Sequence, residues 1–428
     1  MLTQVPLPER HALTPHGVEL AYPRLPGLMR AFNLLTRPLA PRLWPIEPEV
    51  LRRRARSASK VADFSTGTAF DEPLDILCRS LREEMQLSPN GQFALHNQLI
   101  TSLANQFRLD ELAARRPDIF EAPVSMPLFV TGMVRSGTTF TQKLIACDPR
   151  WRTLPLWEVT HPLPKGDLTA RRPEPDPRIK ISRVETKITN RMLPEQASMH
   201  ELAHDAPEEE NLLLSMSHCS PMFEAMALVP QYAKWYATAD HTDGYRYFKR
   251  ILQFMRWSRP AGDRWALKAP GHLEMLVPLY DVFEDATVVQ THRDPVTSVI
   301  SYSNLITYGA RVYFDHPDPY RFGTFAADFV ERLLRASIRD REQAGRPVVD
   351  VLFHRLIEDP LREMRRVYEA ADLELDGVAE KAMREYATAE KSRSRHQYAA
   401  EDFSLSVPEL RERFAFYYDH FDVPMEQR

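Results

Sequence analysis

The sequence predicts an α/β protein: a central parallel sheet with helices on both faces, and a helical region ahead of it. Three observations predict this. A short apolar run that leads through a turn into a helix recurs from about residue 126 onward. Two of those helices open on an Asp-Pro pair, Asp294-Pro295 and Asp359-Pro360, suited to an N-cap and a first helical position. Residues 1–125 instead carry apolar side chains at three- and four-residue spacing, the mark of amphipathic helices.

Taken in order, residues 1–48 are punctuated by proline and interleaved with Leu, Phe and Trp, which predicts short helices packed as an arm. The arginine run Arg52–Arg56 reads as the solvated face of a helix. "DEPLDILCRSLREEMQL" and "ALHNQLITSLANQFRLDELAARRP" are amphipathic helices. The domain boundary is placed at 125/126. "SMPLFVTGMVRSGTTFTQKLIACDP" then gives a strand, a glycine turn and a helix that stops at Asp148-Pro149. The same order returns at "DATVVQTHRDPVTSVISYSNLI" and "RPVVDVLFHRLIEDPLREMRRVYEAA", with "RWALKAPGHLEML" as a further copy. A helical, aromatic-rich insertion spans about 180–258, within a domain 126–428.

Composition narrows the function. The 428 residues suit one large domain with additions, or two domains. A formal net charge of −4 gives no footing for a nucleic-acid binder. Cys78, Cys147 and Cys219 are odd in number and far apart, so neither a disulfide framework nor a four-cysteine zinc site follows. "MLTQVPLPERHALTP" lacks an apolar signal core, and no apolar run reaches the roughly 18 residues of a membrane span. A cytoplasmic protein is expected. With 35 prolines against 14 glycines, each glycine is worth locating.

Gly132-x-x-x-x-Gly137-Thr138-Thr139 follows a strand and opens a helix, the context in which backbone N–H groups cradle a phosphate. Thr138 stands where a nucleotide triphosphatase carries its lysine. Arg135 supplies a cation from within the loop, and Ser136, Thr138 and Thr139 supply hydroxyls. A plain strand-to-helix turn is the alternative. "RSGTT" at 135–139 resembles the 5′-phosphosulfate loop of sulfotransferases that use 3′-phosphoadenosine-5′-phosphosulfate (PAPS). Their second signature, an arginine with a serine eight residues on, is matched by Arg293 and Ser301. "LKAPGHLEML", "THRDP" and "HQYAAEDFSL…YYDHF" extend the resemblance to a bacterial branch with a long helical N-terminal region.

The resemblance implies a P-loop-like three-layer fold and PAPS as co-substrate, with no metal required. It implies that Gly132, Arg135, Ser136, Gly137, Thr138 and Thr139 hold the 5′ end of the donor, and Arg293 and Ser301 its 3′-phosphate. Arg395, with Arg393, is a candidate to close over the nucleotide. Sulfuryl transfer needs a base facing the acceptor. His272 is ranked first, with Lys268 on the sulfuryl group. Lys268 and His272 lie two residues further apart than in the cytosolic enzymes' Lys-x-His motif. Glu208 and Glu209 are the second candidates, or else first-turn residues after Pro207.

His200-Glu201-Leu202-Ala203-His204 is a literal H-E-x-x-H zinc pattern, with Glu224 at a distance that suits a third ligand. Pro207 threatens the helix it needs, and Pro207 and Glu210 stand where the metzincin continuation has Gly and His. The expected function is therefore sulfuryl transfer to a small-molecule hydroxyl, less readily an amine. The aromatic stretch tilts the acceptor toward apolar or aromatic compounds, with core packing as the alternative role. A nucleotide kinase, a non-catalytic nucleotide-binding protein and a zinc hydrolase remain the other readings. Oligomeric state is not legible.

Overall fold

A computed structural model describes residues 8–9, 13–61, 70–170, 175–199, 202–390 and 398–427. Five parallel strands form one sheet in the order β2-β3-β1-β4-β5, with β1 Leu128–Gly132, β2 Trp151–Arg152, β3 Arg264–Lys268, β4 Thr287–His292 and β5 Val348–Leu352. The α/β class and parallel sheet stand as expected. The two-residue edge strand β2 has no counterpart in the sequence reading, because two residues carry no periodicity.

The strands alternate their side chains between two apolar layers. Phe129, Leu267 and Val288 enter one core, which also holds Leu51, Leu74 and Leu99 from the N-terminal helices. Leu128, Val130, Ala266, Val289 and Val351 enter the opposite core, with Leu361 and Met364. Burial on both faces explains why these strands read as apolar runs. Asp294 caps the helix Pro295–Ala310 by accepting from the Val296 N–H, and Asp359 caps Pro360–Ala370 through Arg362.

In the sheet order β1 is flanked by β3 and β4. Gly132 lies opposite Thr291, and Val130 opposite Lys268. The carboxyl ends of three adjacent strands therefore meet, and such a crevice is where parallel α/β sheets bind ligands.

The N-terminal arm consists of short helices, Pro15–Ala21, Gly27–Thr36 and Ala40–Leu43. It is less packed than its composition suggested: Leu28, Leu34 and Leu35 face solvent. Arg52 is not merely solvated, since it bonds Asp71, Asp75 and Glu49. No helix among the described residues is long and apolar enough to cross a membrane.

Candidate active site

The loop after β1 is shaped by its glycines. Gly132 has φ +147°, and a Cβ there would lie 2.6 Å from the Thr291 carbonyl oxygen. Gly137 has φ +102°, and a Cβ there would lie 2.9 Å from the Phe353 ring. Neither position accepts a side chain without the backbone moving. Ser136 is buried and turned inward: its hydroxyl donates to the Met133 carbonyl at 2.6 Å and meets Thr291 Oγ1 at 2.6 Å. It pins the loop to β4. The helix Thr138–Ile145 starts at once, and its first N–H groups lack intrahelical partners.

Arg135 stands at φ +68°, an uncommon conformation for a residue with a Cβ. Its Nε donates to Ser301 Oγ at 3.1 Å and its Nη1 to the Met199 carbonyl at 2.7 Å. Among the described residues it has no carboxylate partner. Burial, with Arg293 nearby, holds its guanidinium below the ordinary arginine range. Arg293 donates from Nη1 to the Arg135 carbonyl at 3.2 Å and lies 4.2 Å from the Phe353 ring. Its remaining fork is taken by Glu426, with bonds of 2.6 and 2.9 Å. Glu426 is placed by its own N–H, which donates to Asp294 Oδ2 at 2.8 Å. A carboxylate thus fills a bidentate anion clamp. The structure brings Gly132, Arg135, Gly137, Arg293 and Ser301 together.

On the other side of β1, the buried Lys268 ends β3. Its Nζ lies 2.6 Å from Glu209 Oε1 and 3.4 Å from Thr139 Oγ1. Glu209 is a quarter exposed, and its second oxygen accepts from Asn211 Nδ2 at 2.7 Å. Glu210 is fully buried and accepts from the Lys268 N–H at 2.8 Å and from His272 Nε2 at 2.7 Å. Tyr245 OH lies 2.6 Å from His272 Nδ1. A neutral ring protonated at Nε2 satisfies both contacts. His272 is therefore enclosed and committed at both nitrogens, a poor position for a base. Glu208 and Glu209 do not start a helix: the next one, Asn211–Leu214, begins after them. Their segment is held instead by the Glu208 N–H on the Leu154 carbonyl, 2.8 Å, and by Gln142 on the Glu208 carbonyl, 3.2 Å.

Other expectations separate. Arg393 and Arg395 lie outside the described residues, as do His200 and Glu201. Glu224 is gripped by Arg332 at 2.8 and 2.9 Å, which supplies its counter-charge. Tyr232, Tyr236, Tyr245, Tyr247 and Phe248 are buried in the core, so most of the aromatic stretch packs rather than lines a site. Sequence reasoning missed Glu210, Tyr245, Asn211, Thr291 and Glu426 as site neighbours. Only the run Glu208-Glu209-Glu210 beside a proline gave a signal for the first of them.

The sulfotransferase family profile matches residues 127–377, more than half of the chain. Sulfotransferase STF9 from Mycobacterium avium aligns with a TM-score of 0.78 at 26% identity, over 89% of this chain and 98% of its own. Sulfotransferase STF1 from Mycobacterium tuberculosis H37Rv aligns at 0.73 and 28% identity, over 86% and 98%. No curated protein gives a significant match.

Proposed function

Because the chain belongs to the sulfotransferase family, we propose that it moves a sulfuryl group from PAPS to a hydroxyl, less readily an amine, of a small-molecule acceptor. The observation that carries the reading is the meeting of Arg135, Arg293 and Ser301 beside one glycine-shaped loop. The residues fit such a donor: a narrow backbone cradle for one phosphate, and a guanidinium fork, already holding a carboxylate, for another.

Transfer forms an acceptor O–S bond and breaks the S–O bond to the 5′-phosphate, whose oxygen keeps the electron pair. We assign that developing charge to the N–H groups opening Thr138–Ile145 and to Arg135, the cation of the same loop. Lys268, beside Thr139, suits the sulfuryl oxygens. Glu209 takes the acceptor proton, because it is partly open, unlike the buried Glu210 and His272, and touches Lys268 directly. Lys268 links the two tasks, with its Nζ 2.6 Å from Glu209 Oε1 and 3.4 Å from Thr139 Oγ1. His272 acts as a positioning residue, through Glu210, on the Lys268 backbone. We place the enzyme in a reducing, cytoplasmic setting, where Cys78, Cys147 and Cys219 stay free.

Calorimetric titration with 3′-phosphoadenosine-5′-phosphate tests this, with ATP and ADP alongside and divalent metal chelated. The expected result is binding in the micromolar range for the bisphosphate (about −8 kcal/mol) and weaker binding of the others. Tight ATP binding, or transfer that needs ATP and Mg²⁺, would revive the kinase reading.

A further inference from the structure

Among the described residues, eleven large apolar side chains are exposed, and all but Val378 and Met425 fall on or against two segments. The first is the N-terminal arm. Helix Gly27–Thr36 buries Met29 and Asn33, while Leu28, Ala31 and Leu35, at i, i+3 and i+7, share a face turned to solvent. Leu28 is 89% exposed, and Leu34 and Leu35 are each 74% exposed. Leu39 and Leu43 continue the surface, and Phe93 joins it through contacts with Phe32 and Trp44. Scattered apolar residues need no explanation, but a run of this kind does. Residues 27–46 contain Arg30, Arg37 and Arg42 and no acidic residue.

The second segment is helix Pro177–Met192. Ile181, Val184 and Ile188 form its exposed apolar stripe, again at i, i+3 and i+7. Lys180, Arg183, Lys187 and Arg191 lie exposed beside it. Its one acidic residue, Glu185, is held by His161 at 2.7 Å.

Both segments are tied to the same turn of chain. The Glu195 N–H, just past the second helix, donates to Tyr308 OH at 3.0 Å. Arg37 pairs with Asp315 at 2.8 Å, and Asn90, which bonds Asn33, also donates to the Val312 carbonyl. That turn ends the helix Pro295–Ala310, whose Ser301 meets Arg135. Two apolar stripes edged with cations thus border one end of the helix that lines the candidate site.

We propose that this face rests on a membrane surface containing anionic lipid. Seven exposed cations against two paired carboxylates, Asp315 held by Arg37 and Glu185 held by His161, on a chain whose formal net charge is −4, give the face a local positive charge. Anionic headgroups complement it, and the acyl boundary absorbs the leucine and isoleucine side chains. A second copy seated on the same face would set cations against cations, and a nucleic-acid backbone would leave the aliphatic side chains in water.

The test is flotation of the full chain with vesicles of phosphatidylcholine alone, or mixed with phosphatidylglycerol, at low and high salt. The expected result is co-flotation with the mixed vesicles only, released by high salt. Ile181→Glu with Ile188→Glu, and separately Leu34→Glu with Leu35→Glu, are expected to lower partitioning about tenfold or more. These positions are solvent-exposed, and unchanged thermal unfolding confirms that the variants fold. Absence of flotation with mixed vesicles overturns the proposal. So does a stable dimer in light scattering that the same substitutions split, which would make the face a contact between copies.

Discussion

At one end of the site Arg135 reaches a hydroxyl and a backbone carbonyl, beside a loop whose glycines leave room only for backbone. At the other end Lys268, Glu209, Glu210, His272 and Tyr245 hold one another through side chains. The glycine-loop end is a preformed, electropositive cradle that a local run of sequence can specify. The carboxylate end is an assembly from three distant segments, in which each group's role depends on which neighbour covers it. The proposed function assigns anion binding to the first kind of construction and proton transfer to the second.

Substitutions at the two ends test this contrast. The largest effect is expected for Arg135→Ala: a fall in kcat of about 10³-fold, the size of a lost charge-stabilising donor. Single-turnover kinetics checks it. Glu209→Gln is expected to lower kcat about 10²-fold while leaving bisphosphate affinity unchanged. The opposite outcome, little loss here and complete loss in His272→Ala, would return the base role to His272. His272→Ala is expected chiefly to strip the buried Glu210 of its imidazole partner, lowering stability by about 2–4 kcal/mol in denaturant titration. The fold that survives is expected to lose much less activity than Glu209→Gln does.

Arg293→Ala is expected to raise the donor KM between about 10- and 100-fold with little change in kcat, the size of a lost bidentate charged contact. The smallest effect is assigned to Glu426→Ala. Its carboxylate competes with an incoming anion for the Arg293 fork, but the pair is partly exposed, at 19% and 35%. Bisphosphate affinity should tighten by a few-fold only. Unchanged affinity would mean that the two anions do not share the fork.

Much of the glycine-loop end was legible because strand, turn and helix N-terminus are contiguous. Gly132 and Gly137 mark the turn and Arg135 its cation within a few residues, and Arg293 and Ser301 lie on one strand-to-helix passage. The parallel sheet was legible for the same reason: Leu128–Gly132 and Thr287–His292 are buried on both faces and read as apolar runs. The carboxylate end was not. The spacing of Lys268 and His272 gives their positions but not the Tyr245 and Glu210 contacts that enclose His272. Those partners stand 27 and 62 residues away. Glu426 reaches Arg293 across 133 residues, and no local pattern marks it. The N-terminal arm was misjudged in the other direction. Its leucines promise burial by composition, yet Leu28, Leu34 and Leu35 point outward.

The most direct measurement is a crystal structure of the chain with 3′-phosphoadenosine-5′-phosphate. The expected result is the 5′-phosphate on the loop from Gly132 to Thr139, and the 3′-phosphate in the Arg293 fork with Glu426 displaced. A nucleotide bound elsewhere, with the Arg293–Glu426 pair intact, would contradict it.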